Sequence, residues 1–514
     1  MLDATPFLRL YARWRLTRLS RMDPVETQRR VLMSLLGKAK DTRFGRDHGF
    51  ADIRSVEAYQ AAVPLRRYED FWDRYWQPVF PLIENATWPG RIPYLAVTSG
   101  TSSGRTKYIP VSREMARANS RAGIEMLVHH LANRPESRVL GGKNFMLGGA
   151  VDLKDEGHGV MSGDLSGIAR REVPAWSRNY IFPDYEMARE SDWERKMEAI
   201  GRASLSEPIR TIAGTPSWLL LFFERLEAMT GKRRLVDFYP ELELVSYGGL
   251  NFAPYAKVFG EWLEGSRAEL REVYPASEGF IAVADRAPGQ GMRMMLDNGL
   301  FFEFVPIEEL DSEHPTRHWI GSVEAGREYA IALTSNAGVW SYLVGDTVRL
   351  VDLAPPRVLV TGRTSYFLSA FGEHLTGEEI DTSVLEAAGE AALEVNEYSV
   401  GARFPDADDA RGRHVFVVEF RGEGPDDSRL RAFARALDGS LSRLNEDYEA
   451  HRQGDVGMAA PEILSVAPGT FADWMRSRGK LGGQNKVPRV INDPELLSSL
   501  VRLAETRLRG RLRA

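Results

Sequence analysis

The chain has 514 residues, which at about 150 residues per domain allows one large domain with a small one, or a single very large one. Sixty-six Lys and Arg against 72 Asp and Glu give a net charge of −6, whereas a general nucleic-acid binder needs an excess of cations to displace counterions. With no cysteine, disulfides, thiolate metal sites and a Cys nucleophile are excluded, any thioester would sit on a carrier, and a reducing cytoplasm is the expected location.

The opening stretch, MLDATPFLRLYARWRLTRLSRMDP, is broken by Arg9, Arg13, Arg15, Arg18 and Arg21, too often for a secretory apolar core. Its apolar residues recur at helical spacing, which predicts a peripheral helix packed on the body; a helix lying on a membrane surface is the alternative. Nothing approaches the roughly 18 uninterrupted apolar residues of a span, so nothing is expected to cross a bilayer, and no membrane partner is assigned. Asp23-Pro24-Val25-Glu26 reads as a cap, a first-turn proline and an acidic partner, opening a helix with Val31, Leu32, Leu35 and Leu36 on its apolar face. From about residue 90 to 370, β-rich runs (Tyr94 to Val97, Leu242 to Val245, Glu272 to Tyr274, Tyr329 to Thr334, Arg357 to Val360) alternate with helical stretches such as Ser217 to Met229. That pattern predicts an α/β body on a parallel or mixed sheet. After Arg363 it resets. A helix over Thr376 to Ala391 precedes two runs, Glu397 to Phe404 and His414 to Phe420, joined by PDADDARG as a hairpin with a long loop. A helix with Leu430, Phe433, Leu437, Leu441 and Leu444 on one face, a strand at Ile463 to Val466 and a last pair of helices complete a compact α+β unit of about 150 residues. The resulting division is 1–364 and 365–514.

Four clusters carry chemistry. Residues 94 to 112, YLAVTSGTSSGRTKYIPVS, place a loop with two glycines between two β-like runs. Thr98, Ser99, Thr101, Ser102 and Ser103 supply hydroxyls, Gly100 and Gly104 let backbone N–H groups turn inward, and Arg105 and Lys107 add charge. This composition suits a polyphosphate; a solvated Gly/Ser turn is the plain alternative. Gly100 to Gly104 also fits the G-x-S-x-G elbow of serine hydrolases, but Tyr108-Ile109-Pro110 follows where the elbow needs a helix. The Walker A spacing fails as well.

The second cluster pairs Tyr247-Gly248-Gly249 with Tyr274-Pro275-Ala276-Ser277-Glu278-Gly279, both at the ends of β-like runs, where open α/β sheets put their ligands. Tyr274 offers a flat face to a purine and Glu278 a hard oxygen for Mg²⁺ beside phosphates; taken alone, Tyr274 reads as core and Glu278 as a surface carboxylate. The third is Trp340-Ser341-Tyr342-Leu343-Val344-Gly345-Asp346 with Gly362-Arg363, in which an Asp after a glycine turn can accept both hydroxyls of a ribose, although a lone Gly-Asp is usually only a turn. The fourth, Gly482-Gly483-Gln484-Asn485-Lys486-Val487-Pro488-Arg489, puts a lysine in a glycine-flanked loop that could carry it to a distant site or leave it facing solvent. Met126, Met146 and Trp218 could line a pocket, with core as their default. His129-His130 and the Asp406 to Asp409 run read as solvated surface, and no metal is assigned to them.

These clusters, in this order, resemble the adenylate-forming superfamily of acyl-CoA synthetases, luciferases and peptide-synthetase adenylation domains. More narrowly, the chain resembles the auxin-responsive-promoter family of acyl acid amido synthetases. The marks are VPLRRYEDFWDRY (63–75), TSGTSSGRTKYIP, GTPSWLLLFFERL (214–226), YPASEGFIAV (274–283), DNGLFFEFVP (297–306), SNAGVWSYLVGD (335–346), LNEDYEAHR (444–452) and QNKVPR (484–489). Together they span nearly the whole chain. Two departures stand out: Leu343 occupies the place of an arginine common in the family, and the chain is shorter than the plant members. The resemblance implies a large N-terminal adenylation domain, β-sheets flanked by helices, that binds ATP and the acyl acid, and a small mobile α+β C-terminal lid. It implies that the 98–107 loop holds the β- and γ-phosphates, with Gly249, Ala276 and Ser277 in the nucleotide site. Tyr274 would pack near adenine, Glu278 would bind Mg²⁺, Asp346 would hold the ribose and Arg363 would lie near the ribose or phosphate. Lys107, Glu278 and Lys486 would be the catalytic groups, Lys486 approaching the carboxylate and α-phosphate. The implied reaction adenylates a carboxylic acid and passes the acyl group to an amine, expected to be an amino acid; no obligate protein partner is evident. Thioester formation on CoA or a carrier protein, and a non-catalytic nucleotide-binding relative, are the competing functions.

Overall fold

Capped starts and apolar stripes set the helices. Asp23 accepts the Glu26 N–H at 2.8 Å and caps Pro24–Ala39. Thr376 and Glu379 close a capping box on Gly377–Glu390: the Glu379 N–H lies 3.2 Å from Thr376 Oγ1 and the Thr376 N–H 2.8 Å from Glu379 Oε2. The computed structural model describes residues 2–99, 106–148, 151–173, 175–190, 193–248, 252, 255–310, 312–364, 368, 375–403, 412–422, 424–445, 448–449, 452, 458–480 and 486–511. The chain divides into two compact units, Met1–Val360 and Thr361–Ala514.

The first unit opens with strands β1 (Tyr94–Ser99), β2 (Thr106–Val111), β3 (Lys143–Met146), β4 (Lys154–Gly157), β5 (Val160–Gly163), β6 (Ile181–Phe182), β7 (Ile209–Gly214) and β8 (Leu244–Gly248). It continues with β9 (Glu269–Ala276), β10 (Gly279–Val283), β11 (Met292–Met294), β12 (Leu300–Pro306), β13 (His318–Trp319), β14 (Glu328–Ser335), β15 (Tyr342–Leu353) and β16 (Pro356–Arg363), whose last three residues fall in the second unit. A small sheet has the order β2-β1-β5-β4, and twelve strands form a larger one in the order β13-β12-β14-β15-β16-β11-β10-β9-β8-β7-β3-β6.

Five neighbours of the large sheet, β6-β3-β7-β8-β9, run parallel; the β9–β10, β10–β11, β11–β16, β14–β15, β12–β14 and β12–β13 pairings are antiparallel. Parallel neighbours need crossovers, and the helices Pro216–Thr230 and Ala256–Trp262 provide them from β7 to β8 and from β8 to β9. Leu219, Phe222, Phe223 and Leu226 of the first and Phe259 and Trp262 of the second share a core with Val245 and Tyr247. The long helix Arg113–Asn133 contributes Ala122 to a second, smaller core with Val283 and Met295, and half-buried Met126 packs there. Trp218 is also half-buried, whereas Met146 is 44% exposed at the end of β3, so the core default fails for it. Thr5–Ser20 packs Leu8 and Ala12 onto Val128 and Leu131, and its buried Arg15 pairs with Glu125 at 2.8 Å and Asp297 at 2.7 Å. The opening helix thus lies against the body, as its spacing predicts, with Phe7, Leu10 and Trp14 on its exposed side. No helix among the described residues is long and apolar enough to cross a membrane.

The second unit is α+β. Its strands β17 (Val395–Arg403) and β18 (Arg413–Phe420) form the expected antiparallel pair, flanked in parallel by β20 (Val490–Ile491) and β19 (Glu462–Val466). Phe416, Val418 and Phe420 face a core closed by Gly377–Glu390 and Asp427–Leu444, while Val415 and Val417 face one closed by Thr470–Ser477 and Pro494–Arg511. Both faces of β18 are covered, which is why it reads as a continuous apolar run. Asp406 to Asp409 lie outside the described residues.

His129 and His130 are buried, at 4% and 1% exposure, which corrects the solvated-surface reading. They sit on the face of Arg113–Asn133 that meets the sheet, and burial lowers His129 to about 4. His130 Nδ1 is 2.9 Å from Glu269 and its Nε2 3.0 Å from the Ser137 hydroxyl. Ser137 in turn donates to Glu243, which also accepts the Arg138 N–H at 3.0 Å and pairs with Arg210 at 2.7 Å. Burial alone would raise the Glu243 and Glu269 carboxyls, but these hydrogen bonds and the charges of Arg210 and Arg271 bring each to about 2. Carboxyls held below their unfolded value of about 4.3 stabilise the fold above that pH and lose the contribution as pH falls toward 2. Urea midpoints should therefore drop between about pH 4.5 and pH 2, and Glu243→Gln, which takes up no proton, should flatten the drop; parallel curves for the two proteins would remove Glu243 from the account.

Candidate active site

The parallel run brings the carboxyl ends of β7, β8 and β9 to one edge of the large sheet, at Gly214, Gly248 and Ala276. Open α/β sheets bind ligands at such an edge. The chain leaves β9 through a two-residue turn, Ser277-Glu278, because Ala276 pairs directly with Gly279 as β10 begins. Gly279 has φ +155°, and a Cβ there would lie 2.6 Å from Leu300 Cδ2, so only glycine fits beside this turn. Ser277 and Ala276 are half-buried, and Glu278 is 8% exposed, not the surface carboxylate it suggests in isolation.

Tyr274 points its hydroxyl across the sheet and donates to Asp346 Oδ2 at 2.6 Å. Asp346 reaches it because β15 bulges. Ala332 pairs with Leu343 but Ala330 with Thr347, so Val344, Gly345 and Asp346 stand opposite the single residue Ile331. Gly345 at φ +91° makes the bend. Tyr342, at the start of β15, is buried and hydrogen-bonded to Glu278; burial and that carboxyl push its hydroxyl well above the ordinary value. Tyr68 and Glu69 also lie within electrostatic reach of Tyr342.

Tyr68 connects this group to the β1–β2 hairpin. Its hydroxyl accepts the Tyr108 N–H at 2.9 Å, and Lys107 Nζ stands 5.4 Å from its ring centroid. Trp72 stacks between the Tyr68 and Tyr108 rings, at 5.8 and 5.9 Å. Lys107 pairs with Thr98, and Thr106 with Ser99, so the hairpin predicted around the loop is present and its mouth carries a half-buried cation. A strand after the loop, in place of a helix, rules out the hydrolase elbow. Gly100, Thr101, Ser102, Ser103, Gly104 and Gly249 lie outside the described residues. Arg363, half-buried at the end of β16, and Lys486, exposed, belong to the second unit.

Three residues that frame the site receive no role from sequence. Glu303 is fully buried in β12 and pairs with Arg317 at 2.7 Å; Ser341, at φ +46°, donates to Glu303 at 2.7 Å and receives Arg317 Nη2 at 2.7 Å. Arg317 further donates to the carbonyls of Gln60 and Val63, and the Leu343 N–H to that of Arg66. This buried ion pair thus fixes the entry to β15 against the segment that carries Tyr68. The signal was a lone Glu within the apolar run LFFEFVP: a buried carboxylate requires a partner. Tyr68 and Tyr342 lie inside quoted motifs but reveal their partners only in three dimensions.

The donor set suits a nucleotide with Mg²⁺. Among the described residues no group of three or more His, Asp or Glu could hold a metal by itself. Mg²⁺ beside phosphates needs only one or two carboxylates, since phosphate oxygens and water complete its shell. Glu278, a carboxylate buried next to a tyrosine hydroxyl, has the chemistry such a ligand would need.

The chain matches the GH3 family N-terminal domain over residues 15–150, the GH3 family central domain over 293–363 and the GH3 family C-terminal domain over 378–495. It is 30% identical over 269 residues to "Probable indole-3-acetic acid-amido synthetase GH3.9" of Oryza sativa subsp. japonica, a stretch covering 47% of this chain and 58% of that protein. The chain spans about half the length of the curated relatives it matches. In fold it resembles the GH3.15 acyl acid amido synthetase, with a TM-score of 0.79 at 18% identity over 96% of this chain and 95% of that one. A 2-hydroxyisobutyryl-CoA ligase in the postadenylation state has the same fold, with a TM-score of 0.61 at 14% identity over 93% and 91% of the two chains. Between them the three domain matches take in more than half of the residues, and the chain belongs to the GH3 family.

Proposed function

We propose that this protein is an ATP-dependent ligase that activates a carboxylic acid as an acyl adenylate and transfers the acyl group to an amine, an amino acid being the expected acceptor. The observation that carries the reading is the convergence of residues 68, 107, 274, 278, 342 and 346 through the Tyr274–Asp346 hydrogen bond, the Tyr342–Glu278 hydrogen bond and the Lys107–Tyr68 contact. Membership of a family whose relatives carry the name amido synthetase supports it.

A carboxylate does not acylate an amine at neutral pH, because it is anionic and offers only oxide as leaving group. In the proposed reaction a carboxylate oxygen bonds to the α-phosphorus of ATP and the bond to pyrophosphate breaks. The amine nitrogen then attacks the acyl carbon, AMP leaves with the bonding pair, and the nitrogen gives up a proton. The first step must bring one anion up to another. Lys107 at the hairpin mouth and the loop around residues 98 to 107 hold phosphate charge, and Tyr274 and Asp346 orient the nucleoside. Mg²⁺, held by Glu278 with the phosphates, supplies charge neutralisation. Glu303, Arg317 and Ser341 keep the start of β15 in place. The chain has no cysteine, so the acyl group passes to the acceptor with no thioester on this protein.

Pyrophosphate exchange against a panel of aryl and alkyl acids should identify acids that support adenylation; exchange that no acid stimulates would refute the ligase. With such an acid, AMP release should respond to an amino acid and not to CoA, and the reverse would move the protein to the thioester-forming ligases. Glu278→Gln should lower acid-dependent exchange by roughly 10²- to 10³-fold while leaving thermal unfolding near that of the parent. Lys486→Ala should depress adenylation far more than amide formation from supplied acyl adenylate, and equal losses in both half-reactions would deny it that role.

A further inference from the structure

Beside the nucleotide-facing residues lies a second set of polar groups that the proposed reaction does not use. Gly214, Tyr247 and Glu272 are register partners across the parallel strands β7, β8 and β9, so Tyr247 and Glu272 project side by side from one face of the sheet. Glu272 precedes Tyr274 by two residues, on the same face and one pleat further into the strand. Tyr247 is fully buried, its ring stacked on Phe252 at 3.8 Å, and its hydroxyl has no hydrogen-bond partner among the described residues. Thr215 directly follows Gly214 at the cap of Pro216–Thr230, yet it caps nothing: its buried hydroxyl is likewise unpartnered. The Glu272 carboxyl is half-buried and makes no hydrogen bond or ion pair with the described residues, and loss of hydration raises it to about 7.

A buried hydroxyl without a partner is costly and rare, and beside a half-buried carboxyl near the carboxyl edge of an α/β sheet it marks a place where a polar group of a ligand would be matched. The Tyr247 hydroxyl can donate or accept, and above about pH 7, where Glu272 is ionised, its carboxylate only accepts, so the complement that would hold it charged is a donor. Glu272 lies behind Tyr274, deeper in the sheet than the proposed nucleoside position. Of the two substrates, the acid is the one that binds together with the nucleotide before the adenylate forms, and its substituent is placed there.

We propose that Glu272, with Tyr247, recognises a hydrogen-bond-donating substituent, a hydroxyl or amino group, on the acid substrate, so that the enzyme selects acids carrying such a group over acids that are apolar beyond their carboxylate. This inference rests on the ligase reading. It makes Glu272 a specificity determinant, with no part in the bond-breaking steps.

The experiment compares wild type with Glu272→Met, using pyrophosphate exchange with meta- and para-hydroxy-, amino- and methyl-phenylacetates as probes, and thermal unfolding of each protein without substrates. Wild type should favour the hydroxy or amino acids by at least roughly tenfold in kcat/KM, and Glu272→Met should abolish or reverse that preference. The substrate-free variant should also melt higher than wild type, because a half-buried carboxyl with no partner among the described residues has been replaced by an apolar side chain. Exchange with an unchanged preference in Glu272→Met, or a variant that melts lower, would overturn the inference while leaving the ligase standing. Exchange with none of the acids, in this set or in the wider panel, would overturn the ligase reading and this inference with it, even if the variant melted higher.

Discussion

A 2.6 Å hydrogen bond from the Tyr274 hydroxyl to Asp346 ties the end of a parallel strand to a bulge in an antiparallel one, and the candidate site is arranged around that tie. It depends on geometry at both ends. Parallel pairing of β7, β8 and β9 aligns their carboxyl ends, and a two-residue turn then returns the chain at once as β10, leaving Glu278 beside the edge. On the other side, three residues of β15 stand against one of β14, which turns Asp346 out of register. Without the bulge, the strict alternation of a strand would dictate which way Asp346 faces. The buried Glu303–Arg317 pair, bonded to Ser341, holds the approach to that bulge against the segment carrying Tyr68. A chain of short contacts therefore links the hairpin mouth at Lys107 to Asp346, across well over two hundred residues of sequence.

What the sequence made legible was local. The two strands around the 98–107 loop, the strand ends at Gly248 and Ala276, the helix from Thr376 and the β17–β18 pair all follow from spacing, turn residues and apolar periodicity within about twenty-five residues. Partnerships across the sheet did not follow in the same way. His129-His130 looks like exposed polarity, but each ring lies on the helix face that meets the sheet, and His130 is satisfied by Glu269, which is distant in sequence. Glu278 looks like a surface acid until Tyr342 stands over it. Met146 looks like core and is exposed, because β3 ends there. In each case the deciding neighbour comes from another strand or helix, and register between strands is fixed by tertiary packing, not by either segment alone.

Three glutamates on or near two adjacent strands sharpen the contrast between the ends of the parallel sheet. Glu243, just before β8, and Glu269, at the start of β9, lie at the amino edge, where His130, Ser137, Arg210 and Arg271 surround them and hold both carboxyls down at about 2. Glu272 is three residues further along β9, toward the carboxyl edge, and burial sends it the other way, to about 7, with no described group to offset the cost. The chain thus satisfies a buried carboxylate fully where it only braces the sheet. Toward the carboxyl edge, the half-buried Glu272 has no such partner among the described residues. Sequence alone cannot separate the two cases, since all three are single acids in β-rich surroundings; the difference lies in what stands opposite. The same strand thus carries one acid braced by cations and one that has only half-burial around it among the described residues, and that difference is what the proposed recognition of an acid substituent draws on.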